Sequence, residues 1–248
     1  MIIIKTEEEI KKMREAGRIV AGVLDLMEEK VAAGVTTEQL NSLADDFIRK
    51  HGGTPSFLGY QGFPRSICTS INEVVVHGIP DGTRLADGDI VGIDVGVIFR
   101  GFHADAARTY VVGEAPPEAL RLVEVTRRSL ESGISHCVAG NFLGDVSHAI
   151  QSVVEEAGFS VVVQFVGHGI GRSMHEEPQI PNYGKPRHGP RLAAGMTFAL
   201  EPMVNQGTWE VEVMEDGWTV KTKDRRLSAH FEHTVAVGRE EPVVLTVP

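Results

Sequence analysis

The sequence predicts an α+β chain built as a duplicated unit, with two helices followed by β-structure in each half. Three observations predict it. The phrase Arg84-Leu85-Ala86-Asp87-Gly88, with Asp94 six residues on, returns as Arg191-Leu192-Ala193-Ala194-Gly195, with Glu201 six residues on. Helical periodicity comes in two pairs, closed by Gly34 and Gly52 in one half and by Gly140 and Gly158 in the other, at an offset of 106 residues. The remainder reads as short β-rich runs separated by turn residues.

The elements follow in order. Thr6 and Glu9 have capping-box spacing, and Ile10, Met13, Gly17, Val20, Leu24, Met27 and Val31 recur at helical intervals up to a stop at Gly34. A second helix is expected from Thr37 to His51, with Leu40, Leu43, Ala44, Phe47 and Ile48 on one face. Strands are expected over 90–97 and 102–112, around a reversal near Phe99-Arg100-Gly101. Pro116-Pro117 opens the third helix, and a fourth covers Gly144 to Ala157. Further strands are read at 161–166, 197–204, 209–214, 218–223 and 231–237. Asp216-Gly217 signals a hairpin, and the prolines between Glu177 and Arg191 signal a loop. With no linker in view, residues 1–248 are expected to pack as one domain, with internal halves at about 6–113 and 116–238.

Bulk properties narrow the class. The chain is 42% apolar and 23% charged, as in ordinary globular proteins. A net charge of −10 argues against direct nucleic-acid binding. Two cysteines, Cys68 and Cys137, do not make a disulfide framework and fit a reducing, cytoplasmic setting. Met1-Ile2-Ile3-Ile4 is too short an apolar run for a secretory segment, and nothing approaches the ~20 residues that cross a membrane. A monomer is expected.

The chemistry lies in acids placed on apolar strands. Asp94 and Asp105 flank the first hairpin. With a reversal centred on Phe99–Arg100 they would oppose each other directly, with Cβ atoms ~4.5–5.5 Å apart. Two bare carboxylates that close repel, and a divalent cation removes the conflict. A solvated hairpin with two ordinary acids is the competing reading. Glu201 follows Thr197-Phe198-Ala199-Leu200, and Glu232 lies beside Phe231 in another β-rich run. Four acids suit two ions bridged by carboxylates. His168, framed by Gly167 and Gly169 at a strand end, is the nitrogen ligand that this donor set invites. His103 and His230 share strand parity with Asp105 and Glu232, so parity leaves them in contention. His77 and His175 sit in glycine- and proline-rich loops and are candidate proton donors or oxyanion stabilisers.

The segments Asn72-Glu73-Val74-Val75-Val76-His77-Gly78-Ile79-Pro80, Ile93-Asp94-Val95-Gly96, Gly101-Phe102-His103-Ala104-Asp105, Gly167-His168-Gly169-Ile170-Gly171, His175-Glu176-Glu177-Pro178, Glu201-Pro202 and Phe231-Glu232-His233-Thr234 together resemble type I methionine aminopeptidases in their short bacterial form. The similarity runs from Ile10 to Val237. It implies the pita-bread (creatinase/aminopeptidase) fold: two αβ halves related by a pseudo-twofold around a central antiparallel sheet, with a dinuclear metal site between them. It also implies roles. Asp94 would chelate one ion, Asp105 and Glu232 would bridge both, and His168 and Glu201 would complete the second. His77 and His175 would contact the scissile amide. Tyr60, Phe63, Cys68 and Trp218, with Phe57 and Met174 nearby, would line the methionine pocket. Asn72, Val74 and Ser228 match a monovalent-cation site.

Three positions depart from the family pattern: Val76 where cysteine is common, Phe63 where tyrosine is common, and His230 in place of glutamine. Glu201 and Glu232 are 31 residues apart, which leaves no room for the insertion of type II members. The expected reaction is metal-dependent removal of the N-terminal methionine from nascent proteins and peptides by a bridging hydroxide, with Glu201 as proton shuttle. The two ions would be Co, Mn, Fe or Zn, a choice the sequence does not fix. The ribosome is a candidate partner, and no membrane partner is expected. Two other readings compete: an X-Pro-type dinuclear aminopeptidase of the same fold, and a metal-free pita-bread module that only binds partners.

Overall fold

A computed structural model describes residues 1–248. Four helices carry the outer layer: α1 (Glu7–Lys30), α2 (Thr37–Lys50), α3 (Pro117–Ser135) and α4 (Leu143–Glu156). Thr6 caps α1 as its spacing requires. Its Oγ1 accepts from the Glu9 N–H at 3.2 Å, and the Glu9 carboxylate accepts from the Thr6 N–H at 3.0 Å. The buried stripe Ala16, Val20, Val23, Leu24 and Met27 then lays α1 on the first half's sheet, while Met13 packs with Phe102, Ile170, Ala199, Ala236 and Leu245.

The strands run in order β1 (Thr54–Pro55), β2 (Cys68–Ile71), β3 (Val74–Val76), β4 (Ile90–Phe99), β5 (Phe102–Val111), β6 (Ser160–Val161), β7 (Gly167–Gly169), β8 (Glu176–Ile180), β9 (Thr197–Leu200), β10 (Met203–Asn205), β11 (Val211–Val213), β12 (Val220–Thr222), β13 (Ser228–His230), β14 (His233–Ala236) and β15 (Val243–Val244). Every pairing between these strands is antiparallel, but the central β-layer divides into four sheets of four, three, three and five strands.

The repeated phrase has a structural counterpart in each half. Arg84 Nη1 donates to Gly34 O at 2.7 Å, and Arg191 Nε donates to Gly140 O at 3.0 Å. The two glycines hold φ of +88° and +102°, a region open to them for want of a Cβ. Isolated bridges pair Thr36 with Arg84 and Phe142 with Arg191. In each half the arginine therefore fastens the helix–helix turn to the start of the following sheet.

Two expectations change at the strands. The β4–β5 reversal centres on Arg100-Gly101, not Phe99–Arg100, because both residues take positive φ (51° and 78°) in a two-residue turn. Asp94 therefore pairs with Ala107, and Asp105 with Gly96. The two acids share a face as diagonal neighbours, not as direct partners. The run 197–204 is not one strand. Pro202 has no N–H to donate, and the chain breaks at Glu201-Pro202 into β9 and β10, which belong to different sheets. Its partner breaks in step at Phe231-Glu232, so that β13 pairs with β10 and β14 with β9. The loop expected from Glu177 contains strand β8, at a sheet edge where Pro178 is tolerated. The strand expected over 161–166 shrinks to β6.

The halves join along β5. The Asp105 N–H donates to Thr234 Oγ1 at 2.8 Å, and that hydroxyl returns a bond to Asp105 O at 2.8 Å. The Glu232 N–H donates to Ala107 O at 2.9 Å. This seam sets Asp105 beside Glu232.

Candidate active site

The paired strand breaks, the β5 seam and the end of β7 all open into one cavity of about 220 Å³. Its walls include Asp94, Asp105, His168, Glu201 and Glu232, together with His77 and His175. Phe57, Tyr60, Phe63, Cys68, Met174 and Trp218 complete the apolar side. Every expected metal, catalytic and pocket residue thus faces a single space. Gln61 joins them from the mouth; it is exposed and held at φ 48°. The sequence signalled it only through the flanking Gly59 and Gly62.

The polar wall is short of partners. Asp94 Oδ1, Asp105 Oδ1 and Glu232 Oε1 are buried without a hydrogen bond. One donor atom each from Asp105, His168 and Glu232 can be chosen so that all lie within 4.8 Å of one another. Burial drives all four carboxyl groups upward in pKa. Asp105 reaches about 7, and Asp94, Glu201 and Glu232 rise well above their usual range, with the neighbouring acids adding to the burial effect. His168 Nδ1 lies 2.9 Å from Gly169 O, an arrangement that places its proton there and leaves the Nε2 lone pair facing the acids, 3.6 Å from Glu201 Oε1. Burial holds this imidazole neutral, with its pKa lowered to about 3. Orphaned oxygens, like charges in close quarters and a bare imidazole nitrogen form a donor set that fits divalent cations.

The other histidines separate by their contacts. His103 Nδ1 lies 3.0 Å from Ser56 Oγ, turned to a polar neighbour outside the acid cluster. His230 Nε2 is buried without a hydrogen bond, 3.8 Å from Glu201 Oε2, so it borders the cluster. His175 Nδ1 meets the Tyr60 hydroxyl at 2.7 Å, and its ring centroid lies 4.1 Å from that of His168. His77 holds φ 59° and packs edge-on to Phe165 and Trp218. Burial first, then His175, lower its pKa to about 4. Burial lowers the His175 pKa as well, so both rings favour the neutral form at pH 7.

The apolar wall is a small cluster in its own right. Phe63 meets Phe57 and Trp218 edge-to-face at 6.5 and 5.1 Å, and Cys68 and Met174 pack beside them. Burial, with Asp94, Asp105 and Glu232 nearby, pushes the Cys68 thiol far up, so it acts as a neutral, soft surface. The volume is below the ~300 Å³ at which drug-sized pockets begin. It suits one unbranched side chain beside the acid cluster.

The model of metallopeptidase family M24 matches residues 11–239. A methionine aminopeptidase of Clostridium perfringens is 53% identical over 247 residues, covering 100% of this chain and 99% of its own. The Bacillus subtilis methionine aminopeptidase 1 is 50% identical, with 99% of each chain covered. The crystal structure of the Thermotoga maritima methionine aminopeptidase superposes with a TM-score of 0.99 at 46% identity, covering 100% of both chains. A Pyrococcus furiosus prolidase shares the fold, with a TM-score of 0.77 at 21% identity over 99% of this chain and 66% of its own.

Proposed function

The chain belongs to metallopeptidase family M24, and we propose that it removes N-terminal methionine from proteins and peptides, using divalent metal held by Asp94, Asp105, His168, Glu201 and Glu232. The observation that carries this reading is the division of one cavity into an acid-lined wall and a thioether-sized apolar wall. A pair of ions suits four carboxylates better than a single one. When bound, they would supply an acidified water and neutralise the crowded acids.

The side chains do the rest. The apolar end takes one methionine side chain, with Phe63, Trp218, Cys68 and Met174 in contact, and a free N-terminal amine held at the acid-lined wall would limit cleavage to a single residue. With the Tyr60 hydroxyl as donor to His175 Nδ1, 2.7 Å away, the imidazole would carry its proton on Nε2, the form that donates to a developing oxyanion. His77 faces the same space and would donate to the scissile nitrogen. Glu201, its carboxyl raised by burial, is suited to take a proton from the attacking water and return it to the leaving amine. The buried, free thiols of Cys68 and Cys137 support a cytoplasmic location, and no helix is long and apolar enough to cross a membrane. The Ser228 N–H donates to Asn72 O at 2.8 Å, and this adjacency supports a monovalent-cation site formed by Asn72, Val74 and Ser228. We further propose that the chain acts as a monomer, with the ribosome as a docking partner.

The test pairs metal analysis with two substrates. The purified protein should hold about two divalent ions and cleave a Met-Ala-type peptide far faster than an X-Pro peptide. Preference for X-Pro would move the chain to the proline-directed readers of this fold. A protein free of metal and of activity after anaerobic reconstitution with Mn, Fe, Co and Zn would leave a binding module.

A further inference from the structure

Outside the cavity, the strongest unexplained feature is a buried charge. Lys5 lies ahead of α1, and its residue is 6% exposed. Its ammonium is paired with the Glu176 carboxylate, whose side chain is equally enclosed. The Lys5 N–H donates to Gly195 O at 2.8 Å, which ties this stretch to the second half. A Cβ at Gly171 would lie 2.5 Å from Lys5 Cε and 2.7 Å from Glu176 Oε1, so the missing side chain makes room for the pair. Glu176 also accepts from the Ser173 N–H at 3.3 Å.

These contacts converge on residues 171–176, the loop that carries Met174 into the apolar wall and His175 into the polar one. The first half grips the loop at two further points. The His103 N–H donates to Gly171 O at 2.7 Å, and Arg172 pairs with Glu9 at 3.0 Å. Buried ion pairs contribute little net stability compared with apolar replacements, while they can fix one arrangement among several. Met174 is already seated by Phe57, Phe63 and Cys68. The residue next to Glu176 whose placement is otherwise held by one hydrogen bond, from Tyr60, is His175.

We infer that Lys5, acting through Glu176, is a positioning residue that aims the His175 imidazole at the reacting carbonyl. This rests on the reading of His175 as catalytic.

The experiment is a mutant cycle on the metal-loaded, full-length chain with a Met-Ala-type peptide. Lys5→Met/Glu176→Gln removes both charges together and leaves no lone ion, so it should fold and hold the parental amount of metal. Its kcat should fall about 10- to 100-fold, as expected for a catalytic group displaced by about 1 Å, with KM within about twofold. His175→Ala should lose about 10²- to 10³-fold in kcat. Combining all three substitutions should cost no more than about twofold beyond His175→Ala alone, because one route cannot be lost twice. A role in stability alone would leave kcat at the parental value, and action through a group other than His175 would give losses that multiply. Parental kcat in the Lys5/Glu176 double variant, or multiplicative losses, overturns the inference. Full activity in His175→Ala overturns the catalytic reading of that histidine instead, so the two failures are distinguishable. Should the double variant not fold, Lys5→Met alone with parental kcat would equally overturn the inference.

Discussion

Stripping divalent metal should make the protein less stable at neutral pH, and increasingly so as the pH rises from 6.5 to 8. Asp105 shows the size of the effect. Its carboxyl moves from 3.8 in the unfolded chain to about 7 in the metal-free fold, with burial as the main cause. At about 1.4 kcal/mol per pH unit, this amounts to about 4 kcal/mol. The sign follows from proton uptake. Below 3.8 the acid is protonated in both states. As the pH climbs toward 7 the fold keeps a proton that the unfolded chain has released, and stability drops until the fold releases it too. Asp94, Glu201 and Glu232 shift in the same direction. Each still protonated above pH 6.5 adds a slope of about 1.4 kcal/mol per pH unit. The buried histidines oppose this only at lower pH. His168 and His230 fall to about 3, and His77 and His233 to about 4, from 6.5. Their share is complete above 6.5 and is lost as the pH falls below it. Metal replaces the protons and removes the penalty. Thermal unfolding at pH 7.5 with and without EDTA should then differ by about 10 °C, from ~2–4 °C per kcal/mol for a chain of this size. Equal midpoints, or a chelated protein whose stability holds steady or rises from pH 6.5 to 8, would refute the reasoning.

Other outcomes follow from the same geometry. His168→Ala should abolish turnover and lower the metal content measured by elemental analysis; parental metal stoichiometry in that variant would contradict its place as a ligand. Phe63→Ala removes the ring that meets both Phe57 and Trp218, and should lower kcat/KM for a Met-Ala peptide by about tenfold or more. An unchanged value would put the methionine side chain elsewhere. Gly17→Ala places a Cβ 2.0 Å from the Leu245 carbonyl oxygen, a backbone contact that no rotamer relieves. A loss of about 1–3 kcal/mol is expected from the urea midpoint, and a neutral result would show that the C-terminal segment yields.

Much of the site was legible because acids on apolar strands demand an explanation. Asp94, Asp105, Glu201 and Glu232 stand out from the sequence on that ground, and the matched Arg84 and Arg191 phrases point to the duplication. What escaped was set by backbone geometry and distance. Arg100 at positive φ is an unusual occupant of a two-residue turn, so the sequence does not reveal the two-residue offset between Asp94 and Asp105. Glu201-Pro202 looked like strand because its neighbours are apolar, and only the handover between sheets shows that the chain bends there. Pro178 concealed β8, since a missing N–H is harmless at an edge. Lys5 gave no signal at all. A lysine near the start of a chain reads as a solvated charge until Glu176, 171 residues away, is found beside it.

The hydrogen bonds that stitch β5 to Thr234 and Glu232 carry an implication for turnover. A clamshell enzyme opens by swinging its lobes apart, and that motion would here tear the bonds that hold Asp105 and Glu232 in line. These bonds oppose such an opening. A peptide entering the cavity would then have to pass the rim where Tyr60 and Gln61 line it, with the lobes held together.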